Sequence, residues 1–400
     1  MKITFVLPGV FIAGGVRTFF ECANRLQQRG HQVAIVYPAA PIAYPFDFSP
    51  RRIYAKFKQA CRGSASPAKV DWFALEAQLR RVPILDPQFS AWIGYGIPAA
   101  DVIVASTWES AYTVAKLGTS NGKKAYFVQH YEAMEVWNDP ACWALAVARD
   151  PDPARIFNAM AGITPEGATL KKYKDLVDAS YALPLAKFTT SMVLENLITE
   201  NFRQKSFGRI PIGNNPGTFY PDGQKADANV ILIPFRGFGW KGNSDVLEAL
   251  ELLRRRRSDF KAILHGPQEL RPMVPDWLDF RSSVSDSELR RLYTQADVFV
   301  SPTWVEGWCS PPMEAMACGT ACITTDVGAV SEYAENGKTA LIVPVRNPQK
   351  LAAAISELLD NKAQRDELAR NGQKAIQKYT WDNAADSMES ILHDIVRSPG

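Results

Sequence analysis

Short apolar β-rich runs alternate with amphipathic helical patterns along most of this chain, and that alternation restricts the fold more than any single motif does. The runs "KITFVLP" (2–8), "HQVAIVYP" (31–38), "DVIVAST" (101–107) and "KAYFVQH" (124–130) have the near-continuous hydrophobicity of strands buried on both faces. Between the first two, Val16, Phe19, Phe20, Ala23 and Leu26 recur at helical spacing, and Gly30 stands where that helix must end. Strand, helix and strand in this order make a βαβ unit, which implies a parallel sheet. A second series runs through "NVILIPF" (229–235), "FKAILHG" (260–266), "DVFVSPT" (297–303), "ACITTDV" (321–327) and "ALIVP" (340–344), with helical stretches such as "SDVLEALELL" (244–253) between. The intervening "GRIPIGNNPGTFYPDGQ" (208–224) is rich in glycine, proline and asparagine and suits an interdomain linker. A chain of 400 residues also exceeds what one hydrophobic core normally holds. The expectation is two doubly wound α/β domains, 1–207 and 208–377, with no internal sequence repeat.

Composition narrows the function classes. With 46% hydrophobic and 22% charged residues the chain has the makings of large cores, which excludes disorder. The net charge of +3, from 45 basic and 42 acidic residues, is too balanced for nucleic acid as the main partner, so any basic function is local. The opening "MKITFVLPGVFIAGGV" superficially resembles a signal peptide, but Pro8, the glycines and the amphipathic pattern that follows fit a buried strand and loop better. No apolar run reaches bilayer-spanning length, so a soluble, cytoplasmic protein is expected. Six cysteines at 22, 61, 142, 309, 318 and 322 lack a pair-of-pairs spacing and read as reduced thiols. Four histidines are present and none pairs with another at ligand spacing, so no protein metal site is expected.

Residues 46–73 interrupt the alternation. Ile53, Phe57 and Cys61 lie four apart and are flanked by Arg51, Arg52, Lys56, Lys58 and Arg62. One reading is a solvated surface helix in a long loop; the other is contact with an anionic membrane surface or an acidic acceptor.

In open α/β sheets ligands bind beyond the carboxyl ends of the strands, where strand order reverses. Three segments fall just after expected strands. In "PGVFIAGGVRT" (8–18), Gly14 and Gly15 permit close backbone approach at a helix start, with Arg17 beside them. Tight strand–helix turns use glycines anyway, and the spacing matches neither a dinucleotide fingerprint nor a P-loop. In "PFRGFGWKG" (234–242), Arg236 and Lys241 sit on a glycine-rich turn, where both can reach one diphosphate; the alternative is two solvated loop charges. In "VEGWCSPPMEAMACG" (305–319), Glu306 and Glu314 stand in otherwise apolar or small company, which costs free energy unless something satisfies them. Ser310 is placed to cap a helix with Pro311 in its first turn, and a helix dipole accounts for Glu314 there. It accounts for nothing at Glu306.

The segment "SPTWVEGWCSPPMEAMACGTACITTDVGAVSE" (301–332) resembles the donor-site segment of glycosyltransferase family 4, with its E-x7-E motif, and "SDSELRRLYTQADVFVSPT" (285–303) resembles the stretch before it. The double-glycine loop, the Arg/Lys pair and "GNNPGTFYP" (213–221) follow in the same order, so the resemblance covers most of the chain and is thin between about 40 and 100. It implies a GT-B fold, two facing Rossmann-like domains with a cleft between them, and retaining transfer of sugar from a nucleotide-diphosphate sugar without a bound metal. It implies that Glu306 bonds hydroxyls of the donor sugar and Glu314 the ribose, while Arg236 and Lys241 neutralise the departing diphosphate. Backbone N–H groups of Gly15, Trp308 and Cys309, and of the helix start between the glutamates, complete the implied anion site, with Gly307 and Ser310 in the same donor segment. His130 matches the histidine that meets the reacting sugar from the first domain; by itself it also reads as a structural strand-end residue. The last residues, 378–396, are implied to pack back on the first domain.

Physical chemistry agrees with these roles: a departing diphosphate gathers charge that fixed cations stabilise, and an ionised carboxylate accepts from sugar hydroxyls. Two departures stand out. Cys309 and Ser310 replace a more usual glycine and hydrophobic residue, which is expected to crowd the sugar subsite, and "GTAC" (319–322) replaces a glycine-x-proline. The resemblance implies front-face transfer, with a donor phosphate oxygen taking the acceptor proton; the rival double displacement needs a carboxylate beneath the anomeric carbon, for which the sequence offers no clear candidate. The expected acceptor is a glycan or lipid-linked glycan in cell-surface assembly, and the expected location is cytoplasmic or peripheral on the inner membrane face. A sugar-nucleotide epimerase, a phosphorylase and a non-catalytic nucleotide-sugar-binding protein are the alternatives.

Overall fold

The computed structural model describes residues 1–40, 54, 58, 69–85, 94–133, 167–226, 229–237 and 239–399. Most of the basic segment 46–73, including Arg51, Arg52, Ile53, Lys56, Phe57, Cys61 and Arg62, lies outside the described residues, as does Cys142. The chain divides into two compact units, with the division after Ile212 and a return to the first unit at Trp381.

The first unit is built on β1 (Lys2–Val6), β2 (Gln32–Ala40), β3 (Gln78–Ile84), β4 (Val102–Ala105), β5 (Lys123–Val128), β6 (Ala186–Thr189) and β7 (Ser206–Arg209). These strands are parallel and ordered β3-β2-β1-β4-β5-β6-β7. The apolar runs become central strands because both of their faces are covered: Phe5, Ile35, Val104 and Phe127 are fully buried. Helix Gly14–Gln28 lays its apolar stripe on this sheet, with the Phe19 ring 5.1 Å from Phe5 and 5.5 Å from Phe127, both edge-on. Burying each such ring stabilises the fold by about 1.5–3 kcal/mol. The outer strands were not legible in the sequence. β3 reads "QLRRVPI", and the four-residue β7 includes the first residues of the expected linker. At Gly208, in β7, φ is +128° and the absent side chain leaves room for Ile391.

The second unit carries β8 (Asn229–Pro234), β9 (Phe260–Gly266), β10 (Asp279–Ser282), β11 (Val298–Ser301), β12 (Ala321–Thr325) and β13 (Leu341–Val343), parallel and ordered β10-β9-β8-β11-β12-β13. Each sheet therefore reverses its winding once, at β1/β4 in the first unit and at β8/β11 in the second. β8 and β11 pair only through Val298 with Ile231 and Phe299 with Leu232, so the strands part early and leave a crevice beyond their carboxyl ends. The loops that follow β8 and β11 are those bearing the Arg/Lys pair and Glu306.

Near its end the chain pairs Asn214 with Thr380 in the second unit and then forms helix Trp381–Arg397 in the first. That helix buries Trp381, Ala384, Ala385, Met388, Ile391, Leu392 and Ile395, an i, i+3, i+4 stripe. Arg25 bonds Asp382 at 2.8 Å, and Arg29 bonds Asp386 at 2.7 Å and Glu389 at 2.8 Å, which fixes it against helix Gly14–Gln28. Among the described residues no helix is long and apolar enough to cross a membrane.

Candidate active site

In the second unit the residues singled out in the sequence gather around the β8/β11 switch point. Arg236 follows β8, and its guanidinium donates to the His265 carbonyl at 3.2 Å, at the end of β9. Asn243 holds the turn closed through its side chain, which bonds both the amide and the carbonyl of Arg236. Gly242, at φ +71°, ends the turn where any Cβ would stand 2.0 Å from the Pro302 carbonyl oxygen. Trp304 donates its amide to the Trp240 carbonyl at 2.7 Å and its indole N–H to Asp245 at 2.7 Å. The loop after β8 is thereby stitched to the loop after β11.

That stitching brings Lys241 to Glu306. The Lys241 Nζ lies 2.6 Å from Glu306 Oε1, and Thr303 donates its hydroxyl to the same oxygen at 3.2 Å. Both side chains are half-buried, so the pair is better shielded than a surface ion pair. Gly328 supports the other side of the glutamate: at φ +55°, its missing Cβ would meet the Glu306 carbonyl oxygen at 2.6 Å. Glu314 has a different partner, the fully buried Tyr293, whose hydroxyl donates to Oε2 at 3.0 Å. Burial, reinforced by the Glu314 charge, holds the Tyr293 phenol well above its ordinary pKa, so it stays a donor.

Three expectations for the segment between the glutamates are corrected. Helix Pro311–Ala317 does follow Ser310, but Ser310 has helical backbone angles (φ −71°, ψ −33°) and its side chain makes no cap bond. Serine caps from an extended backbone, and here prolines at 311 and 312 remove two of the N–H groups a cap would serve. The helix start also offers no N–H to an anion from 311 to 314. Two of those residues have none, and the amides of Met313 and Glu314 donate to the Ser310 carbonyl. Cys309 does not crowd the crevice. Its backbone is left-handed, at φ +74°, and the thiol turns inward to lie 3.7 Å from the Ser301 hydroxyl, while its carbonyl accepts from Tyr333 at 2.8 Å. A glycine meets that φ without cost, whereas a side chain there costs about 1–2 kcal/mol. Trp308 is likewise buried, packed against Tyr333 and Tyr379, and Gly307 is buried beside it.

In the first unit, Gly14 and Gly15 are exposed at the start of helix Gly14–Gln28, which has no side-chain cap. Gln129 reaches this loop and donates to the Gly15 carbonyl at 3.3 Å. Arg17 is half-buried one turn in, and His130 is half-buried just after β5, with its carbonyl accepting from Tyr181 at 3.1 Å. These five residues thus flank the β1/β4 switch and the neighbouring β5 end. Reading the sequence missed Gln129, Asn243, Thr303, Tyr293 and Gly328. Gly328 carried a local signal, a glycine directly after the expected strand run 321–327; Tyr293 carried none, because its partner is 21 residues away. Cys22, Cys309, Cys318 and Cys322 are free and buried.

Comparison with known proteins finds similarity over the second-unit part of this site. Residues 221–375 match the family model described as Glycosyl transferases group 1. The MMP alpha-(1->4)-mannosyltransferase of Mycolicibacterium hassiacum is 28% identical over 186 residues, covering 44% of this chain and 45% of that protein. The match therefore spans about half the length of that curated relative. The phosphatidyl-myo-inositol mannosyltransferase of Mycobacterium tuberculosis is 22% identical over 100% of this chain and 98% of its own. Sucrose-phosphate synthase from Thermosynechococcus elongatus superposes with a TM-score of 0.67 over 98% of both chains at 17% identity. The two Rossmann-like parallel-sheet units are those of a GT-B fold.

Proposed function

We propose that this chain, which carries a group 1 glycosyltransferase domain at residues 221–375, is a retaining, metal-independent enzyme of the family 4 type. It moves a sugar from a nucleotide-diphosphate sugar to a glycan or lipid-linked acceptor. The observation that carries the proposal is the Lys241–Glu306 ion pair, 2.6 Å long, joining the two loops of the β8/β11 switch point. A diphosphate in that crevice competes for Lys241 as a stronger anionic partner and frees Glu306 to accept from sugar hydroxyls. Arg236, five residues before Lys241 in the same loop and held on the His265 carbonyl, is assigned as the second cation. Glu314, oriented by the Tyr293 hydroxyl on Oε2, is assigned to the ribose hydroxyls, in keeping with the E-x7-E reading of the segment.

In the front-face step the bond from the anomeric carbon to the phosphate oxygen breaks while the acceptor oxygen bonds that carbon on the same face. The acceptor's proton passes to the leaving phosphate. Charge on that phosphate is what Arg236 and Lys241 stabilise, and fixed cations in such a site contribute more than mobile solvent does. In the first unit, Gly14, Gly15, Arg17 and His130 supply the remaining contacts, with His130 toward the reacting sugar. The mannosyltransferase relatives support an acceptor of the glycan or glycolipid class. The basic sequence 46–73 is assigned to contact with anionic lipid at the cytoplasmic membrane face, in cell-surface glycan assembly.

A panel of nucleotide sugars screened by thermal shift and slow hydrolysis identifies the donor, and NMR of the released sugar reads its anomeric configuration. Retention at an unchanged initial rate in chelator is the expected result. An inverted product, or the absence of any nucleotide-sugar binding, overturns the proposal.

A further inference from the structure

At the amino-terminal edge of the first sheet, opposite the edge bearing the glycine loop, the fold assembles three side chains that no linear spacing relates. His31 is buried in the turn between helix Gly14–Gln28 and β2, where Gly30 at φ +86° redirects the chain. Glu389 and His393 project from consecutive turns of helix Trp381–Arg397, four residues apart and so on one face. One ligand atom from each of the three lies within 4.8 Å of the others. We propose that His31, Glu389 and His393 form a binding site for a borderline divalent cation, zinc by preference, which clamps the terminal helix to the first unit.

The chemistry of the donors selects the ion. Two imidazole nitrogens and one carboxylate oxygen suit zinc, cobalt, nickel or copper, whereas calcium and magnesium require oxygen ligands. Tetrahedral bonds of ~2.0–2.1 Å place ligand atoms about 3.3 Å apart, so a set now within 4.8 Å closes by at most about 1.5 Å on binding. His31 is already oriented from behind, because its Nδ1 lies 3.0 Å from the Met1 amine, leaving Nε2 to face Glu389 Oε1 at 2.8 Å. Binding of a cation through Nε2 leaves the single imidazole proton on Nδ1, turned to the Met1 nitrogen as acceptor, and any proton displaced passes to solvent. The other carboxylate oxygen, Oε2, is held by Arg29 at 2.8 Å, which fixes the rotamer much as an outer-shell partner does at known metal sites. Charge nearby also permits a cation: Glu21, Asp382, Asp386 and Glu389 stand against Arg25, Arg29 and the Met1 amine. Water takes the fourth position.

The clamp joins residue 31 to residues 389 and 393, across a chain that has passed through the other unit in between. Its role is structural, and it leaves turnover at the donor loops untouched. The test uses the untagged full chain, stripped with chelator and dialysed. Titration with zinc by calorimetry is expected to show one saturable site, and zinc is expected to raise Tm without changing the initial rate of donor hydrolysis. Cobalt is expected to give visible d–d bands without sulfur-to-metal charge transfer. His393→Ala and Glu389→Gln, each with an unchanged circular dichroism spectrum, are expected to weaken binding at least about tenfold. Three results overturn the proposal: no saturable binding, affinity indifferent to both substitutions, or charge-transfer bands that place the ion on a cysteine.

Discussion

Lys241 and Glu306 illustrate how much one contact decides at the scale of single residues. Each alone is an ordinary loop charge, and together at 2.6 Å they form the ion pair on which the proposed division between phosphate and sugar hydroxyl rests. Arg236→Ala and Lys241→Ala are each expected to lower kcat by about 10²–10³, the equivalent of ~2.7–4 kcal/mol, with the fold intact by circular dichroism. Unchanged kcat in both variants removes these cations from the reaction. Glu306→Ala is expected to erode discrimination among sugars more than nucleotide affinity, and Glu314→Ala the reverse, as read by KM for a donor panel and by Kd for the free nucleotide. If both variants change the two quantities alike, the division of labour is wrong.

His265 is a residue-scale feature of another kind. Its ring is buried at the end of β9, and neither nitrogen has a hydrogen-bond partner among the described residues. Burial, and then the charge of Arg236, push its pKa down to about 3. The native ring stays neutral where the unfolded ring is protonated, so the unfolded state binds the extra proton between pH ~6.5 and ~3. Stability is therefore complete above that window and falls as pH drops through it, by up to about 1.4 kcal/mol per pH unit. Urea midpoints from pH 7.5 down to 4.5 should show a shallower loss in His265→Leu than in the parent; equal slopes count against the neutral buried ring.

At the scale of elements, the two loops of the β8/β11 switch depend on backbone that only glycine tolerates. Gly242 combines φ +71° with a Cβ position 2.0 Å from the Pro302 carbonyl oxygen. Gly242→Ala is expected to cost more than the ~1–2 kcal/mol of left-handed backbone alone, and to separate Lys241 from Glu306. Thermal melts and donor titration should therefore both move, whereas a Tm within about a degree of the parent shows that the turn relaxes freely. The glycines of "PFRGFGWKG" were visible in the sequence as a turn. Which of them bears the constraint was not, because Pro302 approaches from 60 residues away. Helix Pro311–Ala317 teaches the converse: its prolines mark a helix start correctly, yet those same prolines remove the N–H groups that a helix start was expected to offer.

For the whole molecule, the terminal helix is the element with the longest reach in sequence. Met388 and Leu392 are fully buried on its inner face, and its ion pairs lead to Arg25 and Arg29. Leu392→Ala is expected to destabilise the first unit by about 2–5 kcal/mol, the cost of a buried leucine and its cavity. Urea unfolding followed through reporters in each unit should show the first unit's transition shifted; no shift means the helix adds little to its core.

The sequence by itself determined the two parallel sheets, their central strands, the loops that bear the charges and the resemblance that suggests their use. Strong apolar runs and turn residues act locally, so they can be read locally. Only the tertiary structure decided that Lys241 meets Glu306, that Tyr293 holds Glu314, that Cys309 turns inward, and that His31 stands beside Glu389 and His393. Those facts depend on strand order and on the return of the last helix, and contacts between residues far apart in sequence leave no periodic trace along it.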